Sequence, residues 1–256
     1  MPSALVLLTE ELPVRPREMG PILAPVLGMV AYDVIAAFKR SPVLPFEELD
    51  DAVAAAAVKE LDDRRIAAAT VPSDRLPPDP QVFKVHNADV EEAGLNLQVD
   101  SLGKMRMVAW DGIELVNAAT ISVEKTSTRT NRPTGWAGPA TGSAHMGLRF
   151  GRIHMPRKHK HVESFEVIAI WPRGMAGEIQ FHSNAFNFDY LADRVSIPAL
   201  ENMRSFATDI AERIGEAVVG PGFEDLVAED RSPPERDVRA FTRHNRWLML
   251  RAQEGI

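Results

Sequence analysis

The sequence predicts a mixed α+β protein in which a small β-α-α-β-α-β domain precedes an antiparallel sheet closed by a helix. Three observations predict this class. The first 72 or so residues alternate strand-like and helical apolar patterns, a proline-rich stretch follows, and short strand-like runs then lead into one amphipathic helix. The 256 residues exceed the usual single domain. We therefore expect a small docking-like domain over 1–76, the sheet and helix over 77–219, and a linker with a helical tail over 220–256.

Local signals place each element of the first domain. "SALVLL" is typical of a strand, and the following helix is predicted to begin at Pro16 and to end at Gly28. "AYDVIAAFKRS" predicts a second helix with Val34, Ile35 and Phe38 on one face. "PVLPFEEL" then predicts a short strand, "DDAVAAAAVKELDDRR" a capped helix, and "IAAATVP" a last strand.

This order of elements resembles the C-terminal domain of the bacterial ribosomal stalk protein. The resemblance rests on the order, on Gly28 between the first two helices, and on the helical stretch from Asp50 to Arg65. The family's second helix is rich in lysine, whereas the matching segment here is "AYDVIAAF". The resemblance therefore implies a small docking domain rather than a ribosomal role.

The second part of the sequence is predicted to form short strands. Two hairpins are expected, one around Glu91–Gly94 and one around Asp111 and Gly112, the strongest two-residue turn signal in the chain. A Ser/Thr/Gly/Pro-rich loop is expected over 126–146, followed by three more strands. An amphipathic helix over 198–218 completes the pattern.

Seven short antiparallel strands and a final helix resemble the bacterial form of the pleckstrin-homology-like (PH-like) β-barrel. The residues that carry this resemblance are "MVAWDGIELV" and "FNFDYLADR". The resemblance implies that the helix covers one end of the barrel and that loops at the other end bind ligands or partners. The loop that is basic in the lipid-binding members is the acidic "NADVEEAG" here, so phosphoinositide binding by that loop is not expected.

Composition excludes several classes of function. The chain has no cysteine, which excludes disulfides and thiolate-ligated metals and favours a cytoplasmic protein. Its net charge of −7 argues against nucleic-acid binding, and no apolar run is long enough for a membrane span. The first residues, "MPSALVLLTEELP", lack the basic start of a signal peptide.

A basic segment interrupts this acidic chain. The stretch 125–162 contains eight lysines and arginines and no acidic residue. Five of these cations lie close together and form a candidate site for an anionic small molecule: Arg149, Arg152, Arg157, Lys158 and Lys160. The alternative is a solvated hairpin tip whose charges keep a sheet edge soluble.

The same stretch contains an alternative metal site. His159 and His161 are two residues apart and Glu166 follows, which resembles the first motif of the cupins, and the resemblance implies His182 as a further ligand. Lys158 and Lys160 flank both histidines. In a regular strand, moreover, Glu166 would point to the face opposite the histidines.

No complete catalytic set is found, since the chain contains neither a G-x-S-x-G elbow nor a phosphate-binding P-loop. We therefore expect a non-catalytic interaction or scaffold protein without a cofactor, which binds a protein partner, itself or an anionic ligand. The alternative is a cupin-like metal-binding protein or metalloenzyme. For the tail helix "RDVRAFTRHNRWLML", packing on the protein's own surface is favoured over capture of a partner.

Overall fold

The computed structural model describes residues 3–9, 15–98, 105–129, 157–175, 177–228 and 231–255, and these form a mixed α+β fold. The chain divides into two units. One unit comprises residues 1–121 and 165–256, and the other comprises residues 122–164.

The N-terminal elements follow one another in the order β-α-α-β-α-β, as the sequence predicts. They are β1 (Ser3–Leu8), α1 (Pro16–Leu27), α2 (Ala31–Arg40), β2 (Phe46–Asp50), α3 (Asp51–Asp62) and β3 (Ala68–Pro72). The three strands form an antiparallel sheet with β1 in the centre.

Local signals explain the ends of these helices. Pro16 occupies the first turn of α1, where its missing N–H costs nothing, and Gly28 ends the helix at φ 63°, a left-handed conformation that suits glycine. Strand β1 is apolar from Ala4 to Leu8 because both of its faces are buried. Val6 and its neighbours of the same parity pack on the three helices, whereas Leu5 and Leu7 pack against the rest of the unit.

In the described part of the chain, twelve further strands and α-helices follow β3. They are β4 (Gln81–Val85), β5 (Asn87–Val90), β6 (Gly94–Gln98), β7 (Met105–Ala109), β8 (Ile113–Arg129), β9 (Arg157–Pro172), β10 (Gly177–His182), α4 (Ala199–Ala211), β11 (Val218–Val219), α5 (Pro221–Val227), β12 (Glu235–Arg236) and α6 (Val238–Glu254). A six-stranded sheet has the order β11-β8-β9-β10-β4, with β12 also paired to β8, and β5, β6 and β7 form a separate antiparallel sheet.

The hairpin expected at Glu91–Gly94 is confirmed by the pairing of β5 with β6, but the one expected at Asp111 and Gly112 is wrong. Strand β7 pairs with β6, whereas β8 belongs to the six-stranded sheet. Between them Trp110 begins a short 3₁₀ turn, is buried, and donates its indole N–H to the Glu91 carbonyl at 3.1 Å. This long-range anchor redirects the chain at a position where the local turn signal predicts a hairpin.

The α+β class is confirmed, but the described strands do not form an antiparallel barrel. Strand β4 pairs in parallel with β10, and the short strands β11 and β12 pair in parallel with β8. None of the sheets that the described residues form closes into a barrel.

The six-stranded sheet is covered on both faces within the first unit. On one face, Ile168, Ile170 and Phe181 pack against Phe206 and other apolar residues of α4. This helix ends at Ala211, seven residues earlier than the sequence predicts, because the chain then returns to the sheet as β11. On the other face, Leu115 and Trp171 pack against Trp247 of α6.

Helix α6, predicted as a tail, is one of the most buried helices of the unit. Trp247 is 1 % exposed and donates its indole N–H to the Leu8 carbonyl at 2.7 Å. One hydrophobic cluster therefore joins α6, the outer face of β1 and the six-stranded sheet. The domain boundaries expected at 76 and 219 stay predictions.

The second unit contains the adjoining parts of β8 and β9. The hydroxyl oxygens of Ser122 and Ser164 lie 2.8 Å apart. Strand β8 continues to Arg129, into the predicted loop, and β9 already begins at Arg157. The segment from Arg157 to Lys160 is therefore part of a strand. No helix among the described residues is long and apolar enough to cross a membrane.

Candidate functional site: an arginine-lined cleft

Helix α6 carries three arginines on one face, at positions 239, 243 and 246. The i, i+4, i+7 spacing places them side by side. The helix begins next to Asp237, whose carboxylate accepts a hydrogen bond from the Ala240 N–H at 2.9 Å.

These arginines line a cleft of about 390 Å³, which we call the arginine cleft. Its lining residues are Arg40, Asp79, Pro80, Val82, Val238, Arg239, Thr242, Arg243 and Arg246. The lining has four guanidinium groups and one carboxylate, and Glu47 lies beside Arg243 and Arg246, so two positive charges remain uncompensated on a chain whose net charge is −7. Val82 and Val238 are 37 % and 47 % exposed and add an apolar wall.

A second cleft, of about 520 Å³, shares Arg40 and Arg243 with the first. Its other charged lining residues are acidic: Asp33, Glu47 and Glu48. The two clefts therefore differ in charge, and the arginine cleft is the one suited to an anion.

Two of the four arginines are held by the protein itself. Arg246, whose side chain is 9 % exposed, donates from Nε to the Pro77 carbonyl at 2.7 Å and from Nη1 to Asp79 at 2.6 Å. Arg243 forms an ion pair with Glu47. These contacts fix the position of both guanidinium groups at the edge of the cleft.

The other two arginines, Arg40 and Arg239, are exposed. Within the described part of the chain neither forms an ion pair or a side-chain hydrogen bond. A guanidinium group offers five N–H donors in a fixed plane and binds phosphate or carboxylate in a bidentate manner. Arg40 and Arg239 therefore have their full donor capacity available for a ligand.

A buried polar network holds α6 against the sheet. Glu178 of β10 is 0 % exposed and accepts hydrogen bonds from Trp171 Nε1 at 2.9 Å, Gln180 Nε2 at 2.5 Å and Asn245 Nδ2 at 3.2 Å. The amide of Asn245 in turn accepts from Asn117 of β8 at 2.8 Å. Because Asn245 lies between Arg243 and Arg246 in the sequence, this network also positions the three arginines that α6 contributes to the cleft.

Burial dominates the electrostatics of Glu178. Loss of solvation raises the pKa of its carboxyl group, and the hydrogen bonds from Gln180, Asn245 and Trp171 oppose that rise. The donors that contact it are neutral, so the carboxyl group is satisfied by hydrogen bonds rather than by a cation.

His182 extends the network at the end of β10. Its Nε2 lies 2.9 Å from the Gln180 side-chain oxygen, and its ring stacks on Phe165. Burial, followed by the charges of Lys84 and His86, lowers the pKa of His182 to about 4. The imidazole is therefore neutral at physiological pH.

The candidate anion site predicted from the sequence stays a prediction. Arg149 and Arg152 lie outside the described residues. Arg157, Lys158 and Lys160 lie on β9, but their side chains are outside the described part.

Two residues of the alternative metal set, Glu166 and His182, are not brought together. The side chain of His159 is outside the described part, and His161 is exposed. His182 pairs with Val167 and shares the face of Phe165, whereas Glu166 is one residue out of phase and accepts from the Ser183 hydroxyl at 2.8 Å. Glu166 and His182 therefore point to opposite faces of the sheet. Among the described residues no three histidine or acidic side chains form a group that could hold a metal ion.

The residues of the arginine cleft were missed from the sequence, although one signal was present. The spacing of Arg239, Arg243 and Arg246 already indicates a cationic helix face. Arg40 could not have been added to them, because it comes from a helix about 200 residues earlier in the chain. Comparison with protein-family models, with curated proteins and with solved structures finds no match for this chain.

Proposed function

We propose that the protein is a binding protein that recognises a negatively charged ligand or partner in the arginine cleft. One observation carries the proposal: Arg40 and Arg239, without acidic partners among the described residues, line the same cleft as the anchored Arg243 and Arg246. Arg243 and Arg246 are paired with Glu47 and Asp79 and shape the cleft, whereas Arg40 and Arg239 supply its uncompensated positive charge and the hydrogen bonds.

The composition of the lining favours binding over catalysis. Its polar side chains are guanidinium groups, the hydroxyl of Thr242 and the carboxylate of Asp79, which already accepts from Arg246. Guanidinium groups keep their protons at any physiological pH and do not act as general bases. Such a lining suits the recognition of phosphate or carboxylate groups.

Calorimetric titration with pyrophosphate tests the proposal. We expect Arg40→Glu and Arg239→Glu each to weaken binding by about tenfold or more, because each replaces a bidentate donor by a repelling charge. Arg17→Glu is the matched control, since Arg17 is an exposed arginine of α1 outside the lining and the change in net charge is the same.

Two results would overturn the proposal. If pyrophosphate does not bind at low ionic strength, the arginine cleft is not an anion site. An equal loss of affinity in Arg17→Glu would show that net charge, and not the cleft, governs binding.

The relationships to PH-like proteins and to the ribosomal stalk domain stay predictions, as does a cytoplasmic location. A role as a partner-binding module agrees with both resemblances, and neither is needed for the proposal on the arginine cleft.

A further inference from the structure

Strand β4 leaves one edge of the six-stranded sheet open. It is the last strand in the order β11-β8-β9-β10-β4 and pairs with β10 alone among the described strands. In the described part of the chain, the backbone groups of residues 81–85 that point away from β10 have no backbone partner. Such an edge is a template for another strand.

This open edge lies at the arginine cleft. Val82 pairs with Glu178 and Lys84 pairs with Gln180, so both side chains share the sheet face on which Asn245 of α6 packs. Val82 also lines the cleft itself, together with the α6 arginines. A strand added beside β4 would therefore have every second side chain on the face where the guanidinium groups lie.

We infer that the partner is an acidic peptide segment that binds in extended form along β4. This inference rests on the proposed function and names the class of partner. Backbone hydrogen bonds to residues 81–85 supply affinity, and acidic side chains at alternate positions meet the cationic face of α6. Arg239 is the expected contact, because it has no acidic partner among the described residues.

Charge complementarity selects this partner. The exposed Lys84 and the preceding Pro80 are features that discourage uncontrolled pairing at a sheet edge. The charge of Lys84 repels basic strands and attracts acidic ones, in the same sense as the four arginines of the cleft. The apolar wall of Val82 and Val238 suits a peptide in which apolar residues accompany the acidic ones.

The test combines a binding titration with amide hydrogen exchange on the full chain. The probe is a synthetic peptide of alternating glutamate and valine residues, and its control alternates lysine and valine. We expect the acidic peptide to bind, to slow exchange of the outward-pointing amides of residues 81–85 by about tenfold, and to lose most of its affinity in Arg239→Glu. Pyrophosphate, which has no backbone to pair, should leave these amides unchanged.

The outcomes separate this inference from the proposed function. If the acidic peptide binds without slowing exchange at residues 81–85, or if pyrophosphate binds and the peptide does not, strand pairing is overturned and the arginine cleft remains an anion site. If the lysine peptide binds as well as the acidic one, charge selection is overturned. If neither the acidic peptide nor pyrophosphate binds, both proposals fail.

Discussion

Replacing Glu178 by leucine tests how the buried network holds α6 in place. The substitution removes the acceptor of Trp171, Gln180 and Asn245, three N–H donors that water does not reach at this position. Each of the three buried donors left without an acceptor costs about 1–3 kcal/mol. Removal of the desolvated carboxyl group offsets part of this cost, so the free energy of unfolding should fall by about 3–5 kcal/mol. Glu178→Gln keeps one acceptor oxygen and should cost less, about 1–3 kcal/mol.

Urea denaturation followed by far-ultraviolet circular dichroism measures these changes. This signal is preferable to tryptophan fluorescence, since Trp171 is itself part of the network. Glu92→Leu is the control, because Glu92 is exposed and has no side-chain hydrogen bond among the described residues. If Glu178→Leu unfolds within about 0.5 kcal/mol of the unsubstituted protein, as a surface change would, the network does not stabilise the packing of α6.

Two further predictions concern stability. The pKa of His182 is lowered to about 4, so the unfolded chain takes up the proton first and His182 reduces stability as the pH falls from about 6.5 to 4. The free energy of unfolding that is lost between pH 7 and pH 4 should therefore be smaller in His182→Gln by about 1–2 kcal/mol, after allowance for solvent screening. An unchanged pH dependence would contradict the assignment. Gly222→Ala would place its Cβ 1.9 Å from the Ala118 carbonyl oxygen and should destabilise the protein by about 1–3 kcal/mol. A Cβ at Gly215 would have no atom within 4 Å, so Gly215→Ala should leave the stability almost unchanged. Equal thermal midpoints for the two variants would refute this packing argument.

Local signals were sufficient for much of the N-terminal fold. Pro16 and Gly28 mark the ends of α1, and the order of the first six elements follows from apolar periodicity. These local signals do not predict which distant segments of the chain pair with one another. Trp110 reaches the Glu91 carbonyl at the point where a hairpin was predicted, and β4 joins β10 across about 90 residues of chain. Neither contact has a local sequence signature.

The candidate site was harder to predict than the fold because its residues come from separate segments. The spacing of His159 and His161 suggested a metal site, and strand parity predicted that Glu166 points away from these two histidines. The pairing of β9 with β10, which the sequence did not predict, also turns Glu166 away from His182. The arginines of α6 lie in a segment that was predicted as a tail, so they were not predicted as site residues. Only the tertiary fold brings Arg40 and Val82 to the same cleft as that helix.

The most direct test of the central claim is an NMR titration of the arginine side-chain Nε–H signals with pyrophosphate. We expect the signals of Arg40 and Arg239 to shift with one common dissociation constant, while the signal of Arg17 on α1 stays in place. Shifts that are confined to arginines outside the cleft, or that are equal for all exposed arginines, would contradict it.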